Sequence, residues 1–286
     1  MLPLLLLGWA QTQVVLLGTG TPNADPLRSG PSTAVVVNGA SYVVDLGPGV
    51  VRRAAAAAEK GVKALAPANL KTAFLTHLHS DHTAGLSDFY LMPAVLDRHA
   101  PLTLIGPRGT RSMANHIRAA YKLDIENRIE KLEKGDPLSY RIDVTEIRPG
   151  VIYKDANVTV TAITVEHAGW DQSFAFHFQT PDKRIVISGD TVYNEAIAKL
   201  CNGCDVLVHE VYSELGLTRR PEQWQKYHKK AHTSGPDVGR IAAIAKPKML
   251  VLTHLLLWGV SEDQLSKEIR STYSGPFAIG KDLDIY

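Results

Sequence analysis

The stretch Thr76-His77-Leu78-His79-Ser80-Asp81-His82 restricts what this chain can fold into more than any other. It follows the short apolar run Lys71–Thr76, which reads as a strand. At a strand end His77 and His79 project to one side, because side chains alternate with period two. A turn into a helix then carries Asp81 and His82 round to that side from a second direction. Metal-capable side chains packed this densely suit two adjacent cations, Zn²⁺ first, with Mn²⁺, Fe²⁺ or Co²⁺ as substitutes. The bland alternative is an exposed His-rich loop.

Three further residues extend the set: His167 in Val-Glu-His-Ala-Gly, Asp190 in Ser-Gly-Asp-Thr and His254 in Leu-Thr-His-Leu. Each follows an apolar, β-like run, where it can turn inward at the edge of a sheet. Alone, each reads as a satisfied turn or core residue. Together they add two imidazoles and a carboxylate, and a carboxylate can bridge two metals. The 11 histidines of the chain are therefore not scattered.

The surrounding pattern is α/β. Strands are expected at Val14–Leu17, Thr33–Val37 and Tyr42–Asp45, the last two joined by the turn Asn38-Gly39. Helices at Arg52–Lys60, near Gly85–Leu96 and near Thr110–Tyr121 alternate with strands Lys71–Thr76 and Leu102–Ile105. The second half opens with β-like Val158–Val165, Ser173–Gln179 and Arg184–Ser188. Helices Asn194–Leu200, Pro236–Ala245 and Ser261–Thr272 then alternate with strands Val206–His209 and Met249–Thr253. Hairpins followed by helix–strand alternation in both halves imply two sheets face to face with helices outside, a layered α/β sandwich. No composition break divides residues 11–286, so they read as one domain.

At this point the residues resemble a known family. His77, His79, Asp81, His82, His167, Asp190 and His254 look like the full ligand set of the metallo-β-lactamase fold superfamily. Gly18-Thr19-Gly20-Thr21-Pro22, Glu210 in His-Glu, and Ala231-His232-Thr233-Ser234 are similar to its ribonuclease Z-like branch. The resemblance runs from about Val14 to Tyr286. It implies an αββα sandwich. It also implies one metal on His77, His79 and His167, a second on Asp81, His82 and His254, and Asp190 between them.

Such a pair, as two Zn²⁺, would activate a bridging hydroxide to attack phosphorus, sulfur or a carbonyl carbon. The chain has no G-x-S-x-G elbow for a serine nucleophile. His232, not needed as a ligand, is free to protonate a leaving group or stabilise an anion. By the resemblance Glu210 orients His232, while Asp81 adds proton transfer to its metal role. His209 reads as core-facing. Gly18–Pro22 lacks the third glycine and following helix of a dinucleotide site, so it reads as a tight turn that lets the backbone pass near the metals.

The short interval from His167 to Asp190 leaves no room for the long arm with which typical bacterial ribonuclease Z grips tRNA. A formal net charge of +2 offers little counterion-release affinity for a large RNA. Trp170, Tyr193 and Trp258 stand next to or near ligand positions and suggest an aromatic rim for a small aryl or heterocyclic group. The expectation is therefore a hydrolase of a small anionic ester, a phosphodiester first and a β-lactam as the alternative, with large RNA disfavoured. Arylsulfatase-like activity and RNA or tRNA 3′ processing complete the family's range. Arg219, Arg220, Lys226, His228, Lys229 and Lys230, interleaved with Trp224 and Tyr227, pull the other way as an anionic or single-stranded nucleic-acid platform, unless they are a solvated helical face. The family also admits a homodimer, for which Leu255–Leu257 offers an apolar face.

Residues 1–10 read as the remnant of a secretory signal, although no Lys or Arg precedes Arg28. That implies a periplasmic or secreted protein, and a cytoplasmic one otherwise. The stretch is far shorter than the roughly 20 apolar residues of a membrane span. Cys201 and Cys204, the two cysteines present, read as a structural or surface pair rather than a redox centre.

Overall fold

The computed structural model of the chain describes residues 11–131 and 133–286. The first sheet begins with the antiparallel strands β1 (Gln13–Gly18), β2 (Ser32–Val37) and β3 (Ala40–Val44). Asn38 and Gly39 link β2 to β3 at φ 50° and 78°, the left-handed pair that a two-residue hairpin requires. Strands β4 (Thr72–Phe74), β5 (Leu102–Gly106) and β6 (Ile142–Glu146) then add in parallel, in chain order.

The second sheet repeats the plan. Strands β7 (Gly150–Lys154), β8 (Thr159–Thr164), β9 (Phe174–Gln179) and β10 (Arg184–Ile187) are antiparallel. Strands β11 (Val206–Tyr212), β12 (Met249–Leu256) and β13 (Phe277–Ile279) follow in parallel.

Both faces of each sheet are covered, which is why the central strands are apolar at every position rather than at alternate ones. In β1, Val14 and Leu16 face the core between the sheets, and Val15 and Leu17 face the outer helices. Between the sheets the Phe74 ring meets Tyr153, Phe176 and Phe178 edge-on at 5.6, 6.0 and 5.4 Å. Helices Val50–Glu59 and Leu86–Val95 close the outside of the first sheet, and Glu195–Cys201, Gly235–Ala245 and Glu262–Arg270 that of the second. This is the expected αββα sandwich.

The departures are local. Helix Lys122–Glu130 and strands β6, β7 and β13 go unread in the sequence. The helix buries no residue, and the two neighbouring strands β6 and β7 are half-exposed, so their apolar pattern is weak. Cys201 and Cys204 form a disulfide inside the outer core of the second sheet, so the surface half of that reading is wrong. Leu255 and Leu256 are also buried, Leu255 in that core and Leu256 against Tyr212 and Leu217. Leu255–Leu257 is therefore no dimer face. The segment read as a secretion signal lies outside the described residues. No helix among the described residues is long and apolar enough to cross a membrane.

Candidate metal centre

Side chains that leave the ends of β4, β8, β10, β11 and β12 meet at one edge of the sandwich. This is the carboxyl edge of the parallel strands, where α/β folds commonly bind ligands. His77 Nε2 lies 3.1 Å from His79 Nδ1, which lies 3.0 Å from His167 Nε2. Beside this trio, Asp81 Oδ2 is 3.5 Å from His82 Nε2 and 3.3 Å from His254 Nε2. Asp190 Oδ2 stands between the two groups, 3.3 Å from His82, 3.4 Å from His254 and 3.9 Å from His167. Zn–N bonds of about 2.0–2.1 Å in a tetrahedron put ligand atoms about 3.3 Å apart, so these spacings suit such ions.

The donor chemistry fits as well. His82 Nδ1 donates to Asp45 Oδ2 at 2.8 Å, which turns the buried Nε2, left without a hydrogen-bond partner, to the cluster as the atom that a cation would engage once its proton is displaced. His167 Nδ1 donates to the Ala231 carbonyl at 2.6 Å, which likewise points its Nε2 lone pair at the cluster. Partners of this kind, behind the ligand, fix tautomer and ring orientation at metal sites.

His79 is bonded differently, since Trp170 Nε1 donates to its Nε2 at 2.8 Å. A neutral ring that accepts there carries its proton on Nδ1. Holding a cation through Nδ1 moves that proton to Nε2 and breaks the Trp170 bond.

Protons now balance the charges in the cluster. Burial alone would lower the pKa of His82, but Asp190 and Asp45 hold it well above the usual histidine range. Burial pushes His77 well below that range. Asp190 would be raised by burial, yet His254 and His82 keep it well below the usual carboxylate range. A cation entering here displaces those protons, because metal ligands must be deprotonated.

Backbone strain aims two of these residues. Glu210 pairs with Thr253 and Val211 with Leu255, so His254 is the extra residue of a β-bulge, at φ 46°. A bulge of this kind re-aims a side chain, here into the site. Gly189, at φ 58°, lies so close to the Phe174 carbonyl that a Cβ would sit 2.6 Å from the oxygen. The tight turn that presents Asp190 therefore needs glycine.

Next to the cluster His232 Nδ1 is 3.3 Å from Glu210 Oε2 and 3.8 Å from Asp190 Oδ2. Burial, reinforced by Asp190, pushes Glu210 up to about 8, and burial lowers His232 to about 4. Glu210 also accepts from the Thr233 amide at 2.8 Å, which ties the two segments together. His209 is fully buried and turned away, with Nδ1 donating to the Glu210 carbonyl.

A cavity of about 340 Å³ opens above these groups. Asp81, Asp190, His232 and His254 line its inner end, and Arg220, Trp224, Tyr227, His228 and Trp258 line one wall. Of the three aromatics read as a rim, Trp258 does line it. Trp170 lies on the far side of His79 and lines a separate cleft with Arg108 and Gln172. Tyr193 lines neither, and its hydroxyl turns to Glu195. Gly18 and Gly20 serve close packing against the Gly30 and Ser29 carbonyls rather than approach to the cluster. Pro22 and Asn23, just beyond, reach the cavity edge.

Asp45 is the functional residue that sequence reading missed. It sits at φ 61° at the end of β3, and the signal for it was the turn Asp45-Leu46-Gly47-Pro48-Gly49.

A model of the β-lactamase superfamily domain matches residues 41–255. Ribonuclease Z of Mycobacterium bovis is 34% identical over 279 residues, covering 95% of this chain and 96% of that protein. The chain belongs to the metallo-β-lactamase superfamily, in its ribonuclease Z-like branch. Among solved structures, the metallo-β-lactamase fold protein YhfI of Bacillus subtilis superposes with a TM-score of 0.74 at 17% identity, covering 96% of this chain and 99% of its own. The short form of human tRNase Z gives 0.70 at 21%, covering 96% and 98%. At such identities these two speak for the fold alone.

The protein is accordingly a metal-dependent hydrolase with a divalent metal site. The mycobacterial match overturns the expectation of a small-molecule substrate with large RNA disfavoured. A protein named ribonuclease Z is matched along 96% of its own length. The short interval from His167 to Asp190 therefore does not set this chain apart from proteins of that name. Net charge was a poor guide too, because a few cations beside a site matter more than their sum over the surface.

Proposed function

We propose that this protein is a binuclear zinc phosphodiesterase that cleaves RNA, with precursor tRNA the first class to test. The observation that carries the reading is the pairing of two three-donor groups around Asp190 with the Glu210–His232 pair, beneath a cavity that Asp81, Asp190, His232 and His254 line, in a chain 34% identical to a ribonuclease Z. In it His77, His79 and His167 would hold one zinc and Asp81, His82 and His254 the other, with Asp190 in reach of both groups. Zinc bound there would supply Lewis acidity and lower the pKa of water towards neutrality.

The chain's own residues do the rest. His232 turns Nδ1 to Glu210, so its Nε2 is left for the cavity, where it protonates the leaving oxygen. Glu210 Oε2, 3.3 Å from Nδ1 of His232, orients that ring for the transfer. Asp81, lining the cavity, accepts the proton that the attacking water gives up.

The test is turnover of a precursor tRNA with a 3′ trailer, of bis(p-nitrophenyl) phosphate and of a chromogenic cephalosporin, with zinc counted per chain. Two zinc ions per chain and RNA cleavage, lost in His232→Ala and Asp190→Ala, are expected. Cephalosporin opening without RNA cleavage would overturn the reading.

A further inference from the structure

Arg220 is the one Arg or Lys among the residues that line the catalytic cavity, and nothing engages it. It lines the catalytic cavity and also an adjoining cavity of about 510 Å³ that runs out past Asn23, Arg28 and Leu255. Its side chain makes no hydrogen bond or ion pair with any described residue, and its Nε is buried without a partner. The neighbouring arginines are committed. Arg219 donates to the Gly259 carbonyl at 2.9 Å, and Arg28 donates to Thr19 and Gly280 and pairs with Glu262 at 2.7 Å. A partly buried guanidinium with its donor fork unused is costly unless a ligand completes it, and the fork matches a phosphate.

Trp258 lines the same two cavities. Its backbone is held at φ 48°, a genuine outlier for a bulky residue and the kind of strain that persists at binding sites. The ring packs 4.6 Å from that of His228, beside it on the cavity wall, and 6.2 Å from that of the buried Tyr212, so it is braced on two sides. A braced aromatic plane beside an unpartnered arginine, at the mouth of a hydrolytic centre, recognises a base and a phosphate together.

We propose that Arg220 and Trp258 form a nucleotide subsite that positions single-stranded RNA for cleavage, a proposal that rests on the RNA-cleaving reading above. The scissile phosphate belongs at the inner end of the cavity, among Asp81, Asp190 and His254. Arg220 opens onto the second cavity as well, so it takes the next phosphate along the strand, and the base between them stacks on Trp258. The aromatic wall of Trp224, Tyr227 and Trp258 favours an unpaired strand, whose unstacked bases are free to stack on it.

The test compares a single-stranded 10-nucleotide RNA with bis(p-nitrophenyl) phosphate, which has neither a second phosphate nor a nucleobase. The readouts are the ratio of kcat/KM between the two substrates and the salt dependence of kcat/KM on the RNA. Arg220→Gln lowers the ratio about tenfold and reduces the slope of log kcat/KM against log salt by about 0.7, the value of one single-strand phosphate contact. Arg220→Lys restores the slope but only part of the ratio. Trp258→Ala lowers the ratio about tenfold at an unaltered slope, and Trp258→Phe recovers most of it.

A merely structural role for either residue would depress both substrates together. If the wild-type protein cleaves the RNA and both ratio and slope survive in Arg220→Gln and Trp258→Ala, the subsite is wrong while the RNA reading stands. If the wild-type protein cleaves only bis(p-nitrophenyl) phosphate, the RNA reading fails and the subsite falls with it.

Discussion

Asp45 touches no part of the cavity, yet its replacement by asparagine should weaken zinc binding by one to two orders of magnitude. Asp45 is 5% exposed and its carboxylate is fully used. Oδ2 accepts from His82 Nδ1 at 2.8 Å and from the Thr76 hydroxyl at 2.8 Å, and Oδ1 accepts from the Thr76 amide at 2.8 Å. Asparagine has the same shape but one acceptor oxygen. Whichever way the amide turns, its NH₂ faces a donor, either His82 Nδ1 or the Thr76 amide. A lost hydrogen bond to a buried charged group costs about 1.5–3 kcal/mol. Partners behind metal ligands are worth roughly 10–100-fold in affinity, or about 1.4–2.7 kcal/mol at 1.36 kcal/mol per decade. The two routes agree. The assay is equilibrium competition for zinc between the metal-free protein and a chromophoric chelator, with His82→Ala as the reference for loss of the donor itself. Asp45→Asn binding within about twofold of wild type, alongside a weakened His82→Ala, would refute the argument that Asp45 sets the tautomer of His82.

Two predictions concern stability away from the site. The guanidinium of Arg98 is fully buried and donates to the carbonyls of Leu70, Phe89, Tyr90 and Ser139, while burial pushes its pKa down to about 10. Arg98→Leu strands four carbonyls but also removes a desolvated charge, so a net loss of about 3 kcal/mol is expected from urea unfolding; a loss below about 1 kcal/mol would contradict it. Asp155 is tuned by hydrogen bonds: partial burial would raise its pKa, but the Tyr42 hydroxyl, the Val158 and Asn157 amides and the Tyr153 hydroxyl outweigh that and hold it below the usual carboxylate range. A folded-state pKa below the unfolded value of about 3.9 gives stability that is complete above that pH and lost as pH falls through the folded value. The Tm gap between wild type and Asp155→Asn should therefore be widest near neutrality and close towards pH 3, whereas a gap constant with pH would exclude the mechanism.

What could be read from the chain, and what could not, divides by range. Local chemistry was legible. The alternation of the central strands, the Asn38-Gly39 turn and the density of donors from His77 to His82 are all properties of neighbouring residues. They led to the sandwich, and the residues that carried the resemblance led to the cluster around Asp190. Asp45 was not legible, because its value lies in two bonds made across the fold to Thr76 and His82, far from it in sequence.

The same holds for the failures. Tyr193 stands three residues from Asp190, as Trp170 does from His167, and proximity in sequence put both in the rim. The turns that follow those ligands point them elsewhere. Leu255–Leu257 looked like a surface patch because the strand was read as ending at Thr253; β12 in fact runs on to Leu256, and the bulge opposite Glu210 and Val211 decides which of its side chains turn inward. Sequence alone determined the layered fold and the kinds of donor available, since periodicity and residue chemistry act over a few residues. The tertiary structure decided which donors face one another, which cation is left without a partner and which aromatic ring walls the cavity, because those depend on where distant strands end.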